Sequence, residues 1–161
     1  MPSYDAGPNA MKPNVQTPGP VERIEQLVAY ALAQVPRIRA GDWGMLDPAN
    51  VRTAFGFHLL QGTLRVEWRP TGEPAGLAIV WQDEAATLRQ LDQEGKAAFR
   101  WQRTDPDGDC LYLGLVLGTE PHVMRRLAAY FRARFPALPE YAHRRGRLRT
   151  GHWLDTLKRK G

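Results

Sequence analysis

Of the two side chains most often used as nucleophiles the sequence has almost none: among 161 residues there is one serine, Ser3, and one cysteine, Cys110. No Ser-His-Asp arrangement and no nucleophile elbow can be built from them. A single thiol excludes an internal disulfide. At the head of an apolar run, Cys110 reads as a small hydrophobe in a reducing compartment. The four histidines, His58, His122, His143 and His152, are scattered and show no zinc-ligand spacing. "TDPDGD", residues 104–109, begins like a calcium loop but lacks the twelve-residue pattern with its closing glutamate, so a tight turn is expected. No run of about 18 apolar residues occurs, so no membrane span is expected. The opening "MPSYDAGPNAMKPNVQTPGP" lacks the basic-then-apolar order of a secretory signal.

What is present is a globular composition, 43% hydrophobic and 24% charged, enough for one domain with its own core. Residues 1–20 stand apart. They hold five prolines, with Gly7 and Gly19, and little apolar surface, so they read as an extended arm ordered only by a protein partner. From residue 21 the pattern becomes helical: Val21, Ile24, Leu27, Val28, Ala31, Leu32 and Val35 share one stripe, and Pro36 should end it. Leu64, Val66 and Trp68 alternate with Arg65, Glu67 and Arg69, then "PTGEP" turns the chain into an apolar strand from Ala75 to Trp81. Residues 83–96 read as a polar helix anchored by Leu88 and Leu91, and residues 111–117 as a strand buried on both faces. A helix should run from Thr119 to Phe135, with Val123, Leu127, Tyr130, Phe131 and Phe135 inward. Residues 140–150 read as one returning strand and residues 155–161 as a basic tail. The order implies a single α+β domain over residues 21–154, with a mixed, mostly antiparallel sheet flanked by helices.

Charge is unevenly placed. Residues 122–161 carry eleven Arg and Lys against two acids, a net +9, while the rest of the chain, with eleven bases and fifteen acids, is −4. That asymmetry points to an acidic partner or nucleic acid at 122–161, or else to a solvated basic face. Arg145, Arg147 and Arg149 would share one face of an extended strand. Trp68 and Trp101 flank arginines, an arrangement that suits base stacking, although core filling is the commoner use of tryptophan.

"CLYLGLVLGTEPHVMRRL", residues 110–127, raises the question of why a buried strand carries Gly114 and opens at Gly118-Thr119 onto a helix. One answer is packing: a glycine within a strand marks a bulge or a close approach. The other is a ligand. Thr119 can cap the helix, or the free N–H groups at its start can hold a pyrophosphate with Arg125 and Arg126 close by.

With "GEPAGLAIVW" as a central strand after a hairpin, this strand–helix unit and the closing "YAHRRGRLRTGHW", the chain resembles the acyltransferase fold of the GNAT superfamily of N-acetyltransferases. It resembles more closely the toxin-activating lysine acyltransferases and their phage-encoded relatives. The similarity covers roughly residues 43–153. It implies acyl transfer from coenzyme A or an acyl carrier to an amine, with acyl-coenzyme A held by Gly118, Thr119, Arg125 and Arg126. It also implies a catalytic histidine after the first helix and an aspartate in the central strand. Those positions fall near Asp47 or Pro48 and on Gly114, neither of which has the needed side chain, and the Gly-rich phosphate loop is reduced to Gly118. His58, set among large apolar residues, is the candidate substitute base, and a packed histidine is the plainer reading. Two further readings stand beside it. One is a non-catalytic component of an assembly such as a phage virion or tail; the other is a nucleic-acid-binding module. The expected location is the bacterial cytoplasm or a phage particle.

Overall fold

A computed structural model of the chain describes residues 19–34, 48–95 and 102–159. The arm up to residue 18, the helix stop at Pro36, Trp43 and Trp101 lie outside the described residues. Ten elements follow in chain order. They are α1 (Pro20–Ala33), α2 (Pro48–Gln61), β1 (Leu64–Trp68), β2 (Pro74–Asp83), α3 (Ala85–Gln93), β3 (Cys110–Leu117), α4 (Pro121–Arg134), β4 (Glu140–Arg144), β5 (Arg147–Gly151) and α5 (Trp153–Arg159). This is the α+β domain with a mixed, mostly antiparallel sheet that the sequence implied.

The strands form one open sheet in the order β1-β2-β3-β4-β5. Only the β3–β4 pair is parallel, because α4 carries the chain back between them. Each face of the sheet buries its own core. Leu27, Val28 and Ala31 of α1 and Val51 and Phe55 of α2 pack on Leu77, Ile79, Trp81 and Tyr112. Val123, Met124, Leu127 and Phe131 of α4 and Leu154 and Leu157 of α5 pack on Ala78, Val80, Leu111 and Leu113. Phe55 and Phe131, both with no exposed surface, anchor the two sides, and truncating either would cost about 3–5 kcal/mol.

Gly114 is a packing device. Ile79 pairs with Leu115 and Val80 with Leu113, so Gly114 is the extra residue of a β-bulge. The bulge switches the alternation: Tyr112, Leu115 and Leu117 face the α1–α2 core, while Leu111 and Leu113 face α4. A Cβ on Gly114 would lie 2.3 Å from Cζ3 of Trp81. Gly118 serves the same end at the strand exit. Its φ is +131°, and a Cβ there would meet Cε of Met124 at 2.6 Å.

Several expectations are corrected. Thr119 is exposed and does not cap α4; Glu120 takes the N-cap position without a side-chain bond, and Pro121 begins the helix. Residues 140–150 are not one strand. Arg145 and Gly146, with φ of 54° and 75°, form a two-residue turn, and β5 pairs back on β4. Arg145 therefore sits in the turn, and only Arg147 and Arg149 share a face. The segment expected as a basic tail begins inside α5, whose Leu157 is 3% exposed.

Helix α2 was not marked out by the sequence. Its Val51, Ala54, Phe55 and His58 are buried at helical spacing, yet Leu60 is 89% exposed and blurs the stripe. Its end is closed by a Schellman pair, Thr63 N–H to His58 C=O at 2.9 Å and Gly62 N–H to Leu59 C=O at 3.3 Å.

Candidate functional site

The candidate base and the residues singled out for a coenzyme are divided by the sheet. His58 lies in the last turn of α2, fully buried, with Nδ1 2.7 Å from Thr63 Oγ1. Its ring stacks on Trp81 at 5.1 Å between centroids and 25° between planes. Trp81 belongs to the α1–α2 core, whereas Arg125 and Arg126 lie on α4, which packs against the opposite face. The structure does not bring His58 together with Gly118, Thr119, Arg125 or Arg126.

The start of α4 already carries negative charge. Glu120 forms an ion pair with Arg69, whose pKa is raised chiefly by that hydrogen bond, and His122 Nε2 lies 3.7 Å from the same carboxylate. Arg126 lies 3.6 Å from Glu67, which also accepts from Arg65 Nε at 3.3 Å. A carboxylate at a helix N-terminus suits the dipole and competes with a phosphate for the same place. Gly118 is half-buried beside Met124 and Gly76, and Thr119 points no bond into the junction among the described residues.

A second buried charge is structural. Asp83, with no exposed surface, accepts three bonds of 2.7–3.0 Å from the Arg103 guanidinium and one of 3.0 Å from Trp81 Nε1. The hydrogen bonding raises the Arg103 pKa. This pair ties the 104–109 turn to the end of β2, and Asp109 accepts from the N–H of Ala85 at 2.9 Å, capping α3 from outside. The Cys110 thiol donates to Asp83 C=O at 3.2 Å, and burial first, then the nearby Asp109 and Asp83 charges, push its pKa up to about 12. It is no nucleophile. Among the described residues no group of three or more His, Cys, Asp or Glu side chains could hold a metal ion, and no helix is long and apolar enough to cross a membrane.

The site that sequence reasoning missed lies at the other end of the sheet. Between α3 and the edge strand β5 is a cleft of about 450 Å³, lined by Arg89, Asp92 and Gln93 from the helix, Tyr141 from β4, and Arg149 and Thr150 from β5. Arg89 Nη2 donates to Tyr141 Oη at 2.6 Å, and its guanidinium lies 5.6 Å over that ring. Behind Asp92 runs a hydrogen-bonded chain. Asp92 Oδ1 is 3.1 Å from His143 Nε2, and His143 Nδ1 is 2.7 Å from Tyr112 Oη. In the neutral ring the carboxylate can only accept, so Nε2 carries the proton and Nδ1 accepts from the tyrosine. His143 stands beside Arg144 and Arg145 in sequence, yet its side chain is 8% exposed and held between two partners. The spacing of Arg89, Asp92 and Gln93 on one helix face is visible in the sequence, but nothing local says that this face meets β5.

The hairpin beside the cleft gathers four arginines that lack acidic neighbours, a feature found singly elsewhere among the described residues, as at Arg23 and Arg125. Arg52, Arg65, Arg69, Arg103, Arg126 and Arg132 each have a carboxylate within 4.0 Å. Arg144, Arg145, Arg147 and Arg149 are exposed, and among the described residues none has a carboxylate within that distance. β3 pairs with β4 only as far as Ala142, so the turn end of the hairpin extends beyond the sheet register. Arg144 lies 5.3 Å over Trp153.

Comparison of the chain with protein-family models, curated proteins and solved structures gave no match.

Proposed function

We propose that this protein is a non-catalytic nucleic-acid-binding module whose β4–β5 hairpin lies on the phosphate backbone. The observation that carries this reading is the set of four exposed arginines, Arg144, Arg145, Arg147 and Arg149, with no carboxylate nearby among the described residues. Like charges packed this densely repel one another, and a row of phosphates relieves that repulsion while releasing counterions. Guanidinium groups match phosphate oxygens two at a time, which suits this role better than lysine would. The absence of an acidic neighbour keeps them available, whereas Arg52, Arg65, Arg69, Arg103, Arg126 and Arg132 each face a carboxylate.

The test is fluorescence anisotropy with a random-sequence oligonucleotide over a series of salt concentrations. If all four arginines engage, the logarithm of affinity should fall against the logarithm of salt with a slope of about −3 to −4 for a duplex. The double variant Arg147→Glu, Arg149→Glu should abolish binding at moderate salt. No binding of the unaltered protein even at low salt would overturn the reading and favour docking of the hairpin on an acidic protein surface, as in an assembly.

Acyl transfer keeps one supporting observation. The N-terminus of α4 has no side-chain cap, so backbone N–H groups remain for an anion. Glu120 and its pairing with Arg69 weigh against it. Titration with acyl-coenzyme A decides: micromolar binding abolished by reversing Arg125 and Arg126 would favour the acyltransferase reading.

A further inference from the structure

We infer that the α3–β5 cleft takes one ribonucleotide unit, with its phosphate between Arg89 and Arg149 and its 2′-hydroxyl on Asp92. The inference rests on the nucleic-acid reading of the hairpin and narrows it from nucleic acid in general to RNA. The cleft is contiguous with that surface, because Arg149 belongs to both.

The chemistry of the cleft is mixed, and the mixture selects. Two guanidinium groups and the Thr150 hydroxyl supply donors for an anion. Asp92 supplies the opposite: a carboxylate that can only accept. One of its oxygens faces His143 Nε2 at 3.1 Å, and its other oxygen has no hydrogen-bond partner among the described residues. Its side chain is 32% exposed. A bare inorganic anion would gain from the arginines and lose against this carboxylate. A ligand that carries an anion and, a few bonds away, a hydroxyl donor satisfies both. The sugar–phosphate unit of RNA has that pattern, and the 2′-hydroxyl is the group that distinguishes it from DNA. A volume of about 450 Å³ falls within the ordinary range for small-ligand clefts. The part-buried Asp92–His143–Tyr112 chain holds the carboxylate in place.

The experiment compares three single strands of one sequence, RNA, DNA and 2′-O-methyl RNA, with adenosine 5′-monophosphate as a fourth ligand. All are titrated against the full chain at one salt concentration. RNA should bind about tenfold tighter than DNA, the equivalent of about 1.4 kcal/mol, and 2′-O-methyl RNA should bind like DNA because it has lost the donor. Asp92→Asn should bring RNA down to the affinity of DNA and leave DNA unchanged. A purely structural role for Asp92 would weaken all strands alike, and a thermal melt of the variant tests its folding independently. Binding of the free nucleotide with the same dependence on Asp92 would support the cleft and name a mononucleotide as its ligand. Equal affinity for RNA and DNA, untouched by Asp92→Asn, would overturn the cleft and leave the hairpin reading standing. Failure of every strand to bind would overturn both.

Discussion

Arg126 at the start of α4 and Arg147 on the β4–β5 hairpin belong to the same basic segment, residues 122–161, yet their surroundings are opposite. Arg126 has Glu67 at 3.6 Å, and the helix start beside it holds Glu120 paired with Arg69. Arg147 and its neighbours Arg144, Arg145 and Arg149 have no such partner among the described residues. The junction is filled: Gly118 and Gly76 admit Met124 and Val123, and the charges there close on one another. The hairpin projects past the register of β3 and keeps its charges open. The difference teaches that a basic stretch is informative only after its acids have been located. The buried pair of Arg103 with Asp83 holds the fold, and the four arginines clustered without a carboxylate on the hairpin are the ones left for a ligand.

The sharpest way to break this comparison is to remove a paired arginine. Arg103→Ala leaves the fully buried Asp83 without its counter-charge and should cost about 3 kcal/mol, read as a fall in the urea midpoint at constant slope. A loss below about 1 kcal/mol would show that the pair is not structural. Next in size, Gly114→Ala places a Cβ 2.3 Å from Trp81 and should cost about 2 kcal/mol by overpacking, with Gly114→Asp costing more because the carboxylate would be buried unpaired. A thermal melt in which the aspartate variant is harmless would refute the bulge account and revive the view that Gly114 replaces a catalytic aspartate.

The unpaired arginines should behave in the opposite way. Arg147→Glu with Arg149→Glu should change stability by no more than about 0.5 kcal/mol while lowering affinity for an oligonucleotide roughly tenfold or more. If the same variant melts several degrees lower with binding intact, the hairpin arginines belong with the structural ones.

The smallest effects come from titration. Cys110 has its pKa raised to about 12 by burial, so the folded state keeps the thiol proton where the unfolded chain would release it. Its contribution to stability is complete below the ordinary thiol range and is lost as pH rises towards about 12. A thiol reagent at pH 8 should leave native protein unlabelled and react only after unfolding. Glu25 shows the reverse sign. Hydrogen bonding to Arg52 lowers its pKa, so that contribution is present above the ordinary carboxylate range and is lost as pH falls. Both groups are exposed, so Glu25→Gln should shift the acid midpoint only slightly.

Local pattern and composition settled a good part of this protein. The helical stripe over Leu27, Val28 and Ala31, the alternation of Leu64 and Val66, the two-sided burial of residues 111–117 and the inward face of α4 all follow from periodicity. Gly114 as a bulge or a close approach was legible because a glycine in an apolar strand needs a reason. Tertiary structure decided the rest. Helix α2 escaped notice since Leu60, next to the buried stripe, is exposed. The turn at Arg145-Gly146 hid inside a run of arginines whose spacing also fits one strand. The cleft joins residue 89 to residue 149, and the hydrogen-bonded chain joins Asp92 to Tyr112 and His143, across separations that no local pattern encodes. Which arginines find a carboxylate depends on strand order and register. Those are set by the packing of two cores against one sheet, a property of the whole chain rather than of any segment.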